Sequence, residues 1–140
     1  MPSISKHAAA GTLNLLGIER RYQTFEGHTV AFETYHRDVD LAPLFRGLPG
    51  DRCPSPHWGV LRRGKIVFRY EDGEEVIEAG EAYYARPGHT AWVAAGTELV
   101  EFSPSGPLEQ AKAASVQNLV AALTDPDLLG GGRAASPAAA

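Results

Sequence analysis

Cys53, His57 and His89 are the side chains of this sequence best suited to hold a metal ion. Cys53 and His57 lie four residues apart, and His89 follows a Pro-Gly pair further along the chain. If the fold brings the three together, two imidazoles and a thiolate form a tetrahedral donor set for Zn²⁺, with a fourth position left for water or substrate. A metal bound there would act as a Lewis acid or lower the pKa of a bound water. A second interpretation stays open, in which both histidines are hydrogen-bonded groups at a ligand pocket without a metal.

Cys53 has two interpretations of its own. Arg52 precedes it, and Pro54 and Pro56 restrict the backbone after it. A nearby cation would lower the pKa of the thiol and make it reactive, whereas a lone cysteine in a β domain is more often a small buried hydrophobe. Because Cys53 is the only cysteine, no intrachain disulfide is expected, and a reducing, cytoplasmic location fits best.

Tyr35 and His36 are the candidates for acid–base chemistry. They lie at the end of a predicted strand, and Glu33 stands two residues before Tyr35. Either side chain could line the mouth of a ligand cavity and exchange protons with a substrate there. The alternative is that both simply complete the edge of a strand.

The bulk properties of the chain exclude several classes of function. Its 140 residues suffice for one domain with a buried core. The net charge is −4, with charges of both signs interspersed and no basic stripe, so nucleic acid is not expected as a partner. No apolar run approaches the ~20 residues needed to cross a bilayer, and the first ten residues lack the apolar segment of a signal peptide.

The elements that must position these side chains are predicted to be β-strands. Glycines and prolines separate short segments rich in β-branched and aromatic residues, which is typical of an all-β domain. Asp72-Gly73 is the strongest hairpin signal, because a type I′ turn needs positive φ at both central positions. The predicted strands cover residues 22–25, 29–35, 58–61, 65–71, 74–78, 82–85, 91–93 and 99–102, with one apolar helical turn within 41–49.

The pattern changes after Pro104 and divides the chain into four parts. Residues 1–12 are predicted to be flexible, 13–104 to form the β domain, 105–124 to form an amphipathic helix, and 125–140 to be disordered because the Gly/Ala/Ser/Pro tail cannot bury a core. Pro107 suits the first turn of the helix. The helix is expected to pack on the outside of the β domain or on a partner subunit. Its predicted apolar face contains Leu108, Ala111, Ser115, Leu119, Val120 and Leu123.

The glycine and hairpin framework of the middle of the chain resembles the cupin superfamily. The segments that carry the resemblance are Gly64-Lys-Ile-Val-Phe, Asp72-Gly73, Ile77-Glu-Ala-Gly80-Glu-Ala-Tyr-Tyr and Pro87-Gly88-His89. Cupins are small jelly-roll β-barrels, often dimeric, in which two sequence motifs supply ligands to one metal. The resemblance therefore implies an all-β, cupin-type jelly-roll barrel, a homodimer and a divalent metal such as Zn, Mn, Fe or Ni.

The first cupin motif usually has two histidines one residue apart, then a glutamate seven residues before a glycine. Counting back from Gly64 places His57 at the glutamate position, Cys53 at the second histidine and Asp51 at the first. The resemblance thus implies Asp51 as a further candidate ligand. A carboxylate there would shift the preference of the site toward harder metals such as Mn²⁺ or Fe²⁺.

The second cupin motif usually has a histidine eleven residues after its opening glycine. Counting from Gly80, that position is Ala91, whereas His89 lies two residues earlier. Because side chains alternate between the faces of a strand, His89 is expected to point to the same side as Ala91. The implied ligand set is therefore Asp51, Cys53, His57 and His89, a divergent form of the family's histidine-rich set.

Two classes of function follow. The first is a metal-dependent enzyme acting on a small organic molecule; the resemblance implies isomerase, lyase or decarboxylase chemistry, or oxygen-dependent cleavage. The ligand set argues against iron oxygenases, which typically use two histidines and one carboxylate. The second is a non-catalytic module that binds a small molecule, or another subunit, without metal.

Overall fold

The computed structural model describes residues 3–125 and 127 of the chain; most of the tail predicted to be disordered, 125–140, lies outside the described residues. Ten strands precede one long helix. They are β1 (Gly11–Leu15), β2 (Ile18–Phe25), β3 (His28–Tyr35), β4 (Val39–Asp40), β5 (His57–Arg63), β6 (Lys65–Tyr70), β7 (Gly73–Glu78), β8 (Ala82–Ala85), β9 (Thr90–Val93), β10 (Glu98–Pro104) and the helix α1 (Ser105–Thr124). Short 3-10 turns at Ala42–Phe45 and Pro49–Asp51 interrupt the connection from β4 to β5.

The strands pair into two antiparallel sheets. The larger sheet has the order β1-β2-β3-β10-β5-β8, and the smaller has the order β4-β9-β6-β7. The predicted mostly-β class with a C-terminal helix is therefore confirmed. The predicted closed barrel is not confirmed, because the strand pairing of the described residues gives two separate sheets.

The hairpin predicted around Asp72-Gly73 is confirmed, but its two turn residues are Glu71 and Asp72, and Gly73 already belongs to β7. The predicted type I′ turn at Asp72-Gly73 was wrong, because Asp72 does not have positive φ. β6 pairs with β7 from Lys65 opposite Glu78 to Tyr70 opposite Gly73. The strands predicted on either side of Glu26-Gly27 also pair, as β2 and β3. In both cases the turn residues set the register, and the register decides which side chains face the core.

The first hairpin, β1 with β2, was absent from the sequence prediction. β1 begins at Gly11, within the segment predicted to be flexible. The turn between the two strands is Leu16-Gly17, with φ of 53° and 81°. A type I′ turn needs positive φ at both positions, which leucine rarely adopts. Because sequence patterns for this turn look for Asn, Asp or Gly at the first position, the turn at Leu16-Gly17 was missed.

The hydrophobic core lies between the two sheets. The larger sheet contributes alternate residues such as Ile18, Tyr35, Leu61 and Leu99, all at most 5% exposed. The smaller sheet contributes Val39, Ile66, Phe68, Tyr70, Ala91 and Val93. These inward positions alternate with outward ones, as expected for strands that bury one face.

Helix α1 occupies the predicted range, but its buried face differs from the predicted one. Ala111 and Ala122 are its buried residues, whereas Val120 and Leu123 are 60% and 51% exposed. The placement of these two residues on the buried face was therefore wrong. The helix is fixed by polar bonds to the 3-10 turn: the Asn118 side chain donates to the carbonyl oxygens of Leu44 and Arg46, at 2.9 and 3.0 Å. Among the described residues, no helix has the length and apolarity needed to span a membrane.

Candidate metal centre

The loop before β5 and the turn before β9 bring Cys53 next to His89. The Cys53 backbone N–H donates to the His89 carbonyl oxygen at 2.8 Å, and the Gly88 N–H donates to the Cys53 carbonyl at 2.8 Å. His57 opens β5, four residues after Cys53, and faces the core. Cys53 and His89, 36 positions apart in sequence, are thus joined by paired backbone bonds rather than by side chains alone.

The donor atoms of the three residues converge. One ligand atom from each of Cys53, His57 and His89 lies within 4.8 Å of the other two, and all three residues are buried. Cys53 Sγ is 3.5 Å from His57 Nε2, and the two imidazole centroids are 5.0 Å apart. A tetrahedral zinc ion with such donors spaces them roughly 3.3–3.8 Å apart, so small side-chain movements suffice to close the set.

His89 presents an unprotonated nitrogen to this cluster. Its Nδ1 lies 2.7 Å from the carbonyl oxygen of Arg86, and a carbonyl only accepts, so Nδ1 carries the proton. Burial lowers the pKa of His89 to about 4, which keeps the ring neutral at pH 7. The Nε2 lone pair is therefore available to a metal.

His57 is neutral for the same reason, since burial lowers its pKa to about 4 as well. Its Nδ1 is 2.6 Å from Ser103 Oγ and 3.4 Å from Glu101 Oε1. Its Nε2 faces Cys53. Both ring nitrogens of His57 thus have defined neighbours.

Cys53 is not an activated nucleophile in the metal-free protein. Burial raises the pKa of its thiol to about 11, so the thiolate form is scarce at neutral pH. Of the two interpretations of Cys53, the structure favours the small buried residue. A divalent metal would change that state, because metal ligation displaces the thiol proton.

The other predicted site residues lie in different places. The Asp51 carboxylate is exposed and accepts a hydrogen bond from the Gly47 N–H at 2.9 Å, outside the Cys53–His57–His89 group. Tyr35 is buried and faces the interior, whereas the His36 side chain is 59% exposed and approaches Glu19. The period-2 alternation of β3 separates these two neighbours onto opposite faces.

Two buried carboxyl groups lie beside the metal-site residues. Tyr35 donates to Glu33 Oε2 at 2.7 Å, and Tyr83 donates to Glu101 Oε2 at 2.6 Å. Arg20, opposite Glu33 across the β2–β3 ladder, approaches its Oε1 at 3.4 Å. Burial raises the pKa of both carboxyls, and Arg20 opposes that rise in each case.

Gly59 makes room for the Tyr83–Glu101 bond. Strand β5 lies between β8 and β10, with Gly59 directly between Tyr83 and Glu101. A Cβ at position 59 would collide with the ring and hydroxyl of Tyr83. The missing side chain thus lets the tyrosine reach across one strand to the carboxyl on the next.

Glu101 and Tyr83 were not among the predicted site residues, although a signal for Glu101 exists. Leu99, Glu101 and Ser103 alternate along β10 and share its inward face. A charged residue between inward positions of a buried strand is unusual. Only the register across β3, β5 and β8, however, shows that Glu101 meets His57.

The three metal-site residues and both carboxyl groups border one cavity of about 350 Å³ between the two sheets and helix α1. Its polar wall contains Arg20, Glu33, Tyr35, Cys53, His57, His89 and Glu101. The opposite wall is mostly apolar and comes from the 3-10 turn and the helix, with Leu41, Leu44, Phe45, Leu108, Ala111 and Leu119; the helix also adds the polar side chains of Glu109, Lys112 and Ser115. The helix therefore packs over the cavity as well as on the outside of the β domain.

Comparison with solved structures identifies the architecture. A Streptomyces PAC13 variant, solved with uridine, matches with a TM-score of 0.51 at 13% identity over 74% of this chain and 82% of that chain. A protein of unknown function from Rhizobium leguminosarum bv. viciae 3841 matches with a TM-score of 0.50 at 12% identity, over 74% and 94% of the two chains. An RmlC-like cupin from Shewanella frigidimarina NCIMB 400 matches with a TM-score of 0.48 at 13% identity, over 67% and 83%.

The chain shares the cupin-type fold of the PAC13 structure. At these identities the likeness shows the fold alone. No family model matches the sequence, and no curated protein matches it. Within the cupin-type fold, the cluster joins a loop residue, the first residue of β5 and the residue before β9.

Proposed function

We propose that this protein holds a divalent metal, Zn²⁺ by preference, at Cys53, His57 and His89, and acts as an enzyme on a small organic molecule in the adjoining cavity. The observation that carries the proposal is the convergence of three buried donor atoms at the polar wall of a partly open cavity whose opposite wall is mostly apolar. Structural zinc sites usually have four protein ligands, whereas three leave a position for water or substrate.

The donor set supports zinc over the harder metals. Two imidazole nitrogens and a sulfur suit Zn²⁺, while Mn²⁺ and Fe²⁺ sites usually include carboxylate oxygen. The carboxylate that would have supplied it, Asp51, bonds to Gly47 instead. When bound, the metal supplies Lewis acidity and lowers the pKa of a coordinated water.

The charges of the cavity wall also favour a cation. Two carboxyls, Glu33 and Glu101, face one guanidinium, Arg20, and both histidines are neutral at pH 7. With both carboxyls ionised the wall carries one uncompensated negative charge, which is costly in an apolar surrounding. A divalent metal with a thiolate ligand contributes one net positive charge and balances it.

The same wall indicates the class of substrate. Arg20 already faces Glu33, and the other cation that lines the cavity, Lys112, lies 3.8 Å from Glu109, so an anionic substrate would meet two carboxyls and no unpaired cation among the lining residues. A neutral molecule with hydroxyl or carbonyl groups can bond to the carboxyls and the metal while its apolar side contacts Leu44, Phe45 and the helix. Uridine, present in the structure of the similarly folded PAC13, is a neutral molecule of this kind.

Glu33 is the proposed acid–base group. Burial raises its pKa above the ordinary value of a glutamate, a shift in the direction that favours a carboxyl that gives and takes a proton. Tyr35, whose own pKa burial raises well above its ordinary value, stays protonated and holds Glu33 by its hydrogen bond. The proposed chemistry is a proton transfer assisted by a Lewis acid, as in isomerases and lyases.

Metal content of the untagged protein tests this proposal. We expect about one equivalent of zinc after exposure to Zn²⁺ and gel filtration, and loss of at least nine tenths of it in Cys53→Ser and His89→Ala. Asp51→Asn is the matched control, because Asp51 lies two residues from Cys53 but outside the cluster; it should keep the metal. Absence of stoichiometric metal in the wild-type protein would contradict the metalloenzyme proposal and favour the non-catalytic module that binds a small molecule.

A further inference from the structure

Two oxygen atoms of β10 contact the Nδ1 side of the His57 ring. Its Nδ1 lies 2.6 Å from Ser103 Oγ and 3.4 Å from Glu101 Oε1. Its other nitrogen, Nε2, lies 3.5 Å from Cys53 Sγ, on the side of the metal cluster. The ring therefore stands between an oxygen-lined wall and the metal-site residues.

Glu101 is itself fixed in place. Its second carboxyl oxygen, Oε2, accepts the Tyr83 hydroxyl at 2.6 Å, and Tyr83 reaches it only because Gly59 has no side chain. Its side chain is 14% exposed. One oxygen is thus committed to Tyr83, and the other is directed at His57.

The proton of a neutral His57 can occupy either ring nitrogen. With the proton on Nε2, the Nδ1 lone pair could accept from the Ser103 hydroxyl but would still face the Glu101 carboxylate oxygen, which is repulsive, and no lone pair would face the cluster. With the proton on Nδ1, the oxygens accept it and the Nε2 lone pair points toward Cys53 and His89. Metal-bound histidines commonly donate their second N–H to a carboxylate or carbonyl, which fixes ring orientation and tautomer.

We propose that Glu101, together with Ser103, is a positioning residue that sets the tautomer and orientation of His57 for metal binding. The inference rests on the proposed metal site. Glu101 acts through His57, and Tyr83 and Gly59 support it from the next strands. His89 has the equivalent support from the Arg86 carbonyl, so each imidazole of the site has its own oxygen acceptor.

Glu33 provides the matched control within the same cavity. It also is a buried glutamate that accepts a tyrosine hydroxyl, with a side chain 12% exposed. Its remaining oxygen meets Arg20, however, and not a histidine. Glu101→Gln and Glu33→Gln therefore remove one buried charge each and differ in which neighbour they disturb.

The first measurement uses metal-free protein, so it does not depend on the metal proposal. Long-range ¹H–¹⁵N NMR spectra of the histidine side chains at pH 7 report which nitrogen is protonated. We expect His57 to be the Nδ1–H tautomer in the wild type and in Glu33→Gln, and to become mixed in Glu101→Gln. An Nε2–H tautomer in the wild type, or an unchanged Glu101→Gln spectrum, would overturn the inference.

The second measurement is the affinity for Zn²⁺, obtained by competition with a chelator. Loss of such a supporting group typically lowers metal affinity by 10–100-fold, so we expect about that loss in Glu101→Gln and a clearly smaller loss in Glu33→Gln, which removes a wall charge but no contact to His57. Wild-type binding with unaffected Glu101→Gln would contradict this inference alone. Absence of binding in the wild type would contradict the metal site as well.

Discussion

The chemistry of the candidate site depends on burial of its imidazoles. His57 and His89 are 6% and 2% exposed, and burial lowers the pKa of each from 6.5 to about 4. Both are therefore neutral metal donors over the physiological range. The same shift links protein stability to pH.

Replacing His89 with asparagine tests this linkage. In the unfolded chain histidine gains a proton below pH ~6.5, whereas His89 in the folded protein gains one only near its pKa of about 4. The folded protein therefore loses stability relative to the unfolded chain as the pH falls through that range. Since one pKa unit corresponds to about 1.4 kcal/mol, the wild type should lose about 3 kcal/mol more than His89→Asn between pH 7 and 4. Urea denaturation of the metal-free proteins measures the difference, and asparagine can keep the bond to Arg86. Parallel pH profiles would show that His89 titrates normally.

For individual residues, the sequence predicted the three metal donors but not the side chains that contact them. The spacing of Cys53, His57 and His89 around short β segments was enough to suggest a cluster, and the structure brings their donor atoms together. Glu101 could not be placed, because its meeting with His57 depends on how β10 aligns with β5. Asp51 illustrates the opposite case: its position in the family motif suggested a ligand, but positive φ at Asp51 and its bond to Gly47 direct it elsewhere.

At the scale of elements, strand pairing in the larger sheet fixes the distances between polar groups on neighbouring strands. Hairpins with a glycine at a positive-φ turn position, such as Glu26-Gly27, are predictable from sequence because the turn itself requires that residue. The β1–β2 hairpin was not, since Leu16 occupies a position that sequence patterns assign to glycine or asparagine. The buried face of α1 was predicted only in part, because its register follows from Asn118 bonding to the 3-10 turn rather than from apolar spacing.

Gly59→Ala tests whether the absence of a side chain at Gly59 positions Tyr83 against Glu101. The added methyl group would collide with Tyr83 and break its bond to Glu101, so we expect a destabilisation of about 2–3 kcal/mol and weaker metal binding. Gly106→Ala is the control, because a Cβ there meets no atom within 4 Å. Thermal unfolding and zinc affinity provide the two measurements. Equal stability of both variants would contradict the proposed role of Gly59.

At the scale of the whole molecule, the outer face of the larger sheet carries an exposed aromatic patch. Trp58, Tyr84 and Phe102 are 47%, 48% and 45% exposed on three neighbouring strands, and Trp58 pairs with both others. Exposed patches of this kind commonly mark protein interfaces. The homodimer predicted from the sequence stays a prediction, and this patch is its proposed interface.

Light scattering of the purified protein tests the dimer. We expect a dimer in the wild type and a monomer in Trp58→Lys, because a buried unpaired lysine would oppose association. Val76→Lys, at a half-exposed site on the smaller sheet, should stay dimeric. A monomeric wild type at high concentration would exclude the interface.

The central claim is that Cys53, His57 and His89 bind one metal ion together. X-ray absorption spectroscopy of the zinc-loaded protein tests it most directly, because sulfur and nitrogen neighbours are resolved by distance. We expect one sulfur at about 2.3 Å and two or three nitrogen or oxygen atoms at about 2.0–2.1 Å, with the sulfur absent in Cys53→Ser. A wild-type spectrum with only nitrogen and oxygen neighbours would contradict it.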